Sequence, residues 1–287
     1  MNRLYTRILL VALSLIVSVA ATAKTSIDGL YYELDTKTLE ASVTYMGEYE
    51  FPGQYAPEDA PPRYTASSIT IPSEVKYNNK TYKVTSIAAN AFYKCSDIKS
   101  INIPNTVSFI GRNAFEGCTN LTSVNIPTSL KSLESAVFCY CESLTSIIIP
   151  EGVTSISQHA FAACESLTSV VLPSTITFIS PLSFVSCKNL KSVTTKSPTP
   201  ISLYSNTFEV FGELHVPAGS KEAYSKAPIW KNFTIIEGTD TETETTGIAP
   251  LSANTQQPTS VFNLSGQSLT APRKGLNIIN GKKVVIK

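Results

Sequence analysis

The chain has 287 residues, of which 43% are hydrophobic and only 16% are charged. Soluble chains carry about 25% charged residues, so Ser and Thr hydroxyls must solvate much of this surface. The formal net charge is +1. The chain therefore lacks the large excess of basic residues that is typical of nucleic-acid-binding proteins, and it has no strong electrostatic attraction to an anionic membrane.

The first segment has the pattern of a secretory signal peptide. Arg3 and Arg7 form a basic start, an apolar run of 13 residues follows at 8–20, and Ala21-Thr22-Ala23 is a small-x-small cleavage site. The run is shorter than the roughly 20 residues that span a bilayer, which favours cleavage over a retained anchor. We therefore expect cleavage after Ala23, a mature chain without a transmembrane segment, and a protein that is secreted or attached to the outer surface.

The middle of the chain repeats with a period of 23 residues. The repeated phenylalanines are Phe92, Phe115, Phe138, Phe161 and Phe184. The repeated cysteines are Cys95, Cys118, Cys141, Cys164 and Cys187. The repeated serines are Ser100, Ser123, Ser146, Ser169 and Ser192. A unit of this length cannot bury its own apolar face, so it must stack on copies of itself, as in a solenoid.

One unit shows how the coil is built. Val124 and Ile126 share one face of a short strand, which Pro127 ends because proline has no N–H for the strand ladder. Leu130 and Leu133 then point inward across a bend. We predict a mainly β solenoid, a leucine-rich-repeat array with 23-residue coils and one parallel strand ladder, capped at both ends. The repeated Phe and Cys side chains form its buried structural core.

The flanks divide the chain further. Tyr77 to Tyr82 indicates a hairpin turn in the N-terminal cap, Ser220 is placed to cap a short helix, and Trp230 is placed to seal the end of the core. Asn280-Gly281 between two apolar runs is a strong hairpin signal. The predicted boundaries are 1–23 signal peptide, 24–84 N-terminal cap with an irregular first repeat, 85–200 leucine-rich repeats, 201–237 C-terminal cap, 238–260 linker and 261–287 C-terminal β-hairpin segment.

The motif Ala114-Phe115-Glu116-Gly117-Cys118-Thr119-Asn120-Leu121-Thr122-Ser123-Val124-Asn125-Ile126-Pro127 resembles the BspA-type leucine-rich repeat of Bacteroidetes surface proteins. The resemblance covers about residues 69–195 and implies binding to host matrix proteins or to other bacteria. Thr195-Lys196 replaces Ile-Pro where the array ends, which predicts an irregular final strand.

The tail, with Asn263-Leu264-Ser265-Gly266 and Ile278-Ile279-Asn280-Gly281, resembles the C-terminal sorting domain of the type IX secretion system. That resemblance implies translocation across the outer membrane, removal of the tail and attachment to surface lipopolysaccharide. A small stabilising β-module is the alternative, because such hairpins are common.

Residues that carry chemistry are scarce. The strict period of the cysteines favours free thiols in equivalent buried positions, although the spacing of neighbouring coils does not exclude disulfides. Cys139 lies outside this column and is expected to be the most exposed thiol. His159 and His215 have no partners at metal-ligand spacing, and a Cys164–His159 nucleophile pair is only a remote candidate. We expect no catalytic, metal or cofactor site and no enzymatic activity.

A ligand face is predicted from the strand residue that points outward between two inward ones. The candidate ligand face is Asn102, Asn125, Ile148, Val171 and Thr194. Its exposed aliphatic residues indicate a partner site, unless they serve only strand propensity. Phe109 and Phe178 are further exposed candidates.

These features favour a secreted or cell-surface adhesion protein whose repeat face binds a protein ligand, from host matrix or from other bacteria. A glycan-binding accessory protein is the first alternative, although it needs aromatic platforms that the predicted strand columns lack. A structural surface spacer is the second. The functional part of this prediction rests on analogy between folds.

Overall fold

The computed structural model describes residues 24–46 and 63–238, and the backbone of four strands between 261 and 286. The chain forms two compact units, Met1–Thr241 and Glu242–Lys287. The predicted signal peptide and nearly all of the predicted linker lie outside the described residues.

The regular structure described in the first unit consists mainly of short strands joined by turns. Its strands are β1 (Thr25–Ile27), β2 (Leu30–Asp35), β3 (Glu40–Thr44), β4 (Ser68–Thr70), β5 (Glu74–Tyr77), β6 (Lys80–Ile87), β7 (Ser100–Asn102), β8 (Phe109–Ile110), β9 (Ser123–Val124), β10 (Ser132–Leu133), β11 (Ser146–Ile148), β12 (Ser155–Ile156), β13 (Ser169–Leu172), β14 (Phe178–Ile179), β15 (Ser192–Thr195), β16 (Glu213–Val216) and β17 (Thr234–Glu237). The helix α1 (Lys221–Lys226) and a short 3-10 turn (Trp230–Asn232) lie before β17.

The N-terminal cap is a sheet in the order β1-β2-β3-β6-β5. Strands β5 and β6 form the predicted hairpin, in which Tyr77 pairs with Lys80. Asn78 and Asn79 between them have φ of 48° and 58°. Two successive positive φ values match the twist of the flanking strands, and Asn tolerates them well. Strand β6 also pairs with β8, which joins the cap to the first coils.

Parallel strands from successive coils form what we call the first ladder. It contains two runs of hydrogen-bonded strands, β4-β7-β9 and β11-β13-β15-β16-β17. The pairing of Ser146 with Ser169 and of Ser169 with Ser192 fixes a register of one strand per coil. The leucine-rich-repeat solenoid predicted from the sequence is therefore confirmed. The predicted irregular end at Thr195 is wrong, because Thr195 pairs with Leu172 in a regular parallel strand.

A second ladder corrects the prediction of a single one. The bend that contains Leu133 is itself a short strand, and β10, β12 and β14 pair in parallel. Its inward residues, including Leu133, Ile156 and Ile179, are buried. Strands of two residues are too short to show a recognisable alternation, so the sequence pattern predicts a bend here and not a strand.

The repeated phenylalanines form one buried stack. Neighbouring rings from Phe92 to Phe184 lie 5.2–5.5 Å apart and within 14° of parallel. Phe208 adds a sixth ring, 5.0 Å from that of Phe184, although its spacing of 24 residues breaks the period. Tyr64 covers one end of the stack and Trp230 the other. Trp230 is 1% exposed and donates its Nε1–H to the Ile201 carbonyl at 2.7 Å.

All six cysteines are free and buried. The predicted exposure of Cys139 is wrong, since this residue is only 7% exposed. Its position in the repeat is occupied by Glu116 one coil earlier and by Ala162 one coil later, so neighbouring coils cover it on both sides. Burial, with a smaller contribution from Glu116, raises the pKa of the Cys139 thiol to about 12.

Helix α1 begins after Ser220, as predicted, but Ser220 makes no side-chain capping bond. The carboxylate of Glu237 accepts a hydrogen bond from the Lys221 N–H at 2.9 Å instead. A carboxylate suits this place because the first N–H groups of a helix lack partners within the helix.

Both ladders are interrupted between the coil that runs from β8 to β9 and the coil that runs from β10 to β11. Strand β9 is not paired with β11, and β8 is not paired with β10. Thr168 donates its N–H to the Thr145 carbonyl at 2.8 Å, but in residues 63–238 no such bond joins Thr145 to Thr122. The turn side stays continuous here, since the Phe115 N–H donates to the Val137 carbonyl at 3.0 Å. We call this interruption the seam.

The second unit is a four-stranded antiparallel sheet in the order β19-β18-β20-β21. Its strands are β18 (Val261–Phe262), β19 (Ser268–Leu269), β20 (Gly275–Ile279) and β21 (Lys282–Ile286). Ile279 pairs with Lys282, so a two-residue link joins β20 to β21, as the Asn280-Gly281 motif predicts. The linking residues themselves lie outside the described part.

Candidate ligand face

The outward residues of the first ladder form one column in each run of paired strands. In the first run of strands, Thr70 pairs with Asn102. In the second run, Ile148 pairs with Val171, and Val171 pairs with Thr194. The strand β9 brings Asn125 next to Asn102, because Val124 pairs with Ile101. The predicted ligand face thus consists of two sets of neighbours, one on each side of the seam.

The structure extends this column beyond the predicted residues. Thr194 pairs with His215, and His215 pairs with Ile236. Sequence analysis missed both because these steps are 21 residues rather than the repeat period. The full ligand face, as used below, is Thr70, Asn102, Asn125, Ile148, Val171, Thr194, His215 and Ile236.

The two halves of the ligand face differ in character. Ile148 is 44% exposed and Ile236 is 37% exposed, whereas Val171 and Thr194 between them are half-buried. Branched aliphatic side chains therefore dominate the C-terminal half. The N-terminal half is polar and carries the exposed amides of Asn102 and Asn125.

A shallow depression of about 400 Å³ lies over the N-terminal half. It is lined by Ser68, Ile69, Ser100, Ile101, Asn102, Ser123, Val124 and Asn125. The hydroxyl of Ser100 donates to that of Ser68 at 2.9 Å. These hydroxyl and amide groups are neutral hydrogen-bonding partners.

The side-chain amide of Asn125 is hydrogen-bonded to the backbone of the preceding coil. Its Oδ1 accepts the Ile103 N–H at 2.7 Å, and its Nδ2 donates to the Ile103 carbonyl at 2.6 Å. Elsewhere the strand backbone makes this contact, as where the Ile71 N–H donates to the Asn102 carbonyl at 2.9 Å. Asn125 therefore replaces a backbone pair with its side chain, and of the two amides only that of Asn102 makes no side-chain hydrogen bond in residues 63–238.

Charge appears at the C-terminal edge of the ligand face. His215 Nε2 lies 3.3 Å from Glu213 Oε2, which corrects the expectation that His215 lacks an acidic neighbour. The contact is exposed to solvent. No cluster of three or more metal-ligating side chains occurs in the described ranges.

The remote nucleophile pair finds no support in the geometry. His159 has a φ of 59°, at a turn position where Asn90, Asn113, Ala136 and Leu182 also have positive φ. Cys164 donates its Sγ–H to the Phe138 carbonyl at 3.2 Å. Burial raises the pKa of the Cys164 thiol well above its ordinary value, which opposes formation of the reactive thiolate.

Phe109 and Phe178 are exposed, but neither lies on the ligand face: Phe178 is on the second ladder, and Phe109 is on β8, which pairs with β6. They are 51% and 43% exposed. Tyr204, which sequence analysis did not single out, is 47% exposed and packs edge-on against Phe178 at 6.3 Å. Tyr204 lies in an irregular loop after the last full repeat, so no periodic signal marked it.

The comparisons with known proteins agree with this architecture. Residues 85–211 match the BspA type leucine rich repeat region, in six copies. This region is similar to BspA-type repeats. No curated protein gave a match. No helix in the described residues has the length and hydropathy that a bilayer crossing requires.

Several solved structures share the fold. A leucine-rich repeat protein from Bacteroides ovatus is 26% identical, with a TM-score of 0.53 over 67% of this chain and 49% of that one. The T. pallidum leucine rich repeat protein is 24% identical, with a TM-score of 0.50 over 69% and 87%. The pneumococcal vaccine antigen PcpA is 19% identical, with a TM-score of 0.54 over 76% and 48%. The chain thus spans about half the length of the first of these relatives.

Proposed function

We propose that this chain is an exported binding protein of the cell surface, whose ligand face docks a protein ligand. The observation that carries the proposal is the register of the first ladder, which aligns exposed Ile148 and Ile236 with half-buried Val171 on one side of a rigid sheet. Aligned aliphatic side chains at an exposed face are typical of contact surfaces between proteins.

The two halves of the ligand face suit such a partner. The aliphatic half offers the apolar centre of an interface, and the hydroxyls and amides around the depression offer its polar rim. Proteins of host matrix or of other bacteria are the ligands that the BspA-type resemblance implies. PcpA, which has a similar fold, is a pneumococcal vaccine antigen, and this supports a surface role for the present chain.

Export is the second part of the proposal. The basic start, short apolar run and Ala21-Thr22-Ala23 site support cleavage after Ala23. The resemblance of residues 261–287 to type IX sorting domains supports outer-membrane translocation followed by removal of this tail. N-terminal sequencing and intact-mass analysis of the secreted protein test both steps: we expect Lys24 first and a mass without residues 261–287.

The binding proposal is tested with the full chain on arrays of matrix proteins and on bacterial cells. The variant Ile148→Glu/Val171→Glu places two carboxylates in the aliphatic half, and we expect it to lose binding while its thermal unfolding stays cooperative. The matched control Tyr77→Glu/Tyr140→Glu alters two side chains that are 39% and 52% exposed outside the ligand face, and it should bind normally. Equal binding by both variants would contradict the proposed face, and a wild-type chain that binds no protein would leave the spacer alternative.

A further inference from the structure

The outer face of the second ladder carries a notch between aromatic side chains. Its outward column runs through Ser132, Ser155 and Phe178, with Ser132 paired to Ser155 and Ser155 paired to Phe178. Phe109 stands one repeat period before Ser132, across the seam. Parallel strands lie about 4.8 Å apart, so two steps separate Ser132 from Phe178 by roughly 10 Å, and Phe109 lies one coil further along. Two small serines thus form a floor between two exposed aromatic rings.

One wall of this notch is a corner made of two rings. Phe178 and Tyr204 have their centroids 6.3 Å apart and their planes at 86°, and nearly half of each side chain is exposed. A flat ligand ring that stacks on one of these faces meets the other edge-on. Such corners give an orientation as well as contact area.

The floor adds two hydrogen-bonding groups, a carboxyl group and a hydroxyl. The Ser132 hydroxyl donates to Glu134 Oε1 at 2.7 Å, which fixes the carboxylate and leaves its other lone pairs for a ligand. The Ser155 hydroxyl makes no hydrogen bond within residues 63–238. The notch therefore offers a carboxyl acceptor and a hydroxyl beside aromatic faces.

We propose that this notch binds a neutral sugar unit of a glycan. A pyranose presents an apolar C–H face, which suits an exposed aromatic ring, and hydroxyls around its edge, which suit a carboxylate and a serine. The serines separate the rings, so the surface is not the contiguous apolar patch that a protein interface uses. The negative charge of Glu134 disfavours acidic sugars, because like charges repel at short range.

This site is independent of the ligand face. It lies on the other ladder and uses none of the residues in the protein-binding proposal. The predicted strand columns lack the aromatic side chains on which a sugar could stack. The outer face of the second ladder carries such side chains.

The test is titration of the full chain with neutral hexose oligosaccharides and with an oligogalacturonate of matched length. We expect neutral oligomers to bind and the acidic one to bind much more weakly. Phe178→Ser should weaken neutral binding about tenfold, since an aromatic contact of this kind contributes up to 1.5 kcal/mol. Ser is the native residue at the equivalent positions 132 and 155, so this variant should fold.

Three controls sharpen the result. Tyr140→Ala removes an exposed aromatic side chain outside the notch, at a turn position where the next coil has Ala163, and it should bind neutral oligomers normally. Glu134→Gln should narrow the preference for neutral over acidic oligomers. Ile148→Glu/Val171→Glu should keep full glycan binding. The proposal is overturned if no neutral oligomer binds, if Phe178→Ser binds as tightly as the wild type, or if the acidic oligomer binds equally well.

Discussion

The Sγ of Cys164 donates a hydrogen bond at 3.2 Å to the carbonyl oxygen of Phe138, which lies 26 residues earlier. The same bond recurs at Cys118, Cys141 and Cys187, at 3.2, 3.3 and 3.1 Å. Each thiol therefore connects its own turn to the phenylalanine of the preceding coil. The two repeated residues of the sequence form one structural unit, because a weak S–H donor satisfies a buried carbonyl beside the aromatic stack.

The first prediction concerns the reactivity of these thiols. Burial raises the pKa of Cys95 to about 11 and of Cys187 to about 12. Since only the thiolate attacks a disulfide reagent, a raised pKa leaves little reactive form at pH 8. We expect native protein to react only as fast as it unfolds, and denatured protein to release six thiols without reductant. Fewer than six in denaturant would show that disulfides form.

The second prediction concerns the phenylalanine stack. Phe138→Ala leaves a cavity between two parallel rings, and we expect a loss of about 3–5 kcal/mol in the free energy of unfolding. Phe109→Ala is the control, because Phe109 is 51% exposed and its removal should change stability by no more than about 0.5 kcal/mol. Denaturant unfolding of both variants measures the difference. A similar loss of unfolding free energy in both variants would contradict a special contribution of the phenylalanine stack to stability.

Periodic features of this fold could be predicted from the sequence, and interruptions of the period could not. The Phe and Cys columns repeat at a constant step, so their shared burial follows from the pattern alone. The second ladder was missed because Ser155-Ile156 and its equivalents are too short to alternate visibly. Phe208, His215 and Ile236 were missed because coils near the C-terminus change length, and only backbone pairing reveals their equivalence.

The ligand face shows the same limit. The residues from Asn102 to Thr194 can be predicted from the period. The sequence does not show which asparagine side chain is hydrogen-bonded to the backbone and which is not. Asn102 and Asn125 occupy equivalent positions, yet only Asn125 bonds to the Ile103 backbone. That difference arises from the path of β9, which no local pattern encodes.

The third prediction separates these two asparagines. Asn125→Ala leaves the N–H and carbonyl of Ile103 without their partners, and we expect a loss of about 1–3 kcal/mol in the free energy of unfolding. Asn102→Ala removes an exposed amide with no side-chain bond in the described residues, so its effect should stay near zero. Thermal or denaturant unfolding compares the two. Equal stability of the variants would contradict the structural role of Asn125.

The fourth prediction concerns the seam. Strands β9 and β11 are not paired with each other, so within residues 63–238 the Thr145 N–H lacks the bond that the equivalent Thr168 N–H makes at 2.8 Å. Amide hydrogen exchange depends on local opening, and an amide without a stable hydrogen bond exchanges from the native state. We expect Thr145 to exchange much faster than Thr168, although both lie in the same ladder one coil apart.

The second ladder provides an independent check of the seam. Within residues 63–238 the Lys131 N–H makes no bond to the equivalent Ser108 carbonyl, whereas the Thr154 N–H donates to the Lys131 carbonyl at 2.9 Å, so Lys131 should exchange faster than Thr154. The Phe115 N–H bonds across the same boundary on the turn side at 3.0 Å and should stay protected. Fast exchange at all three positions would indicate general loosening of these coils, and slow exchange at Thr145 and Lys131 would mean that both ladders are continuous in solution. Fast exchange at Thr145 and Lys131 alone would establish that the array consists of two hydrogen-bonded blocks, which the turn side and the phenylalanine stack hold together.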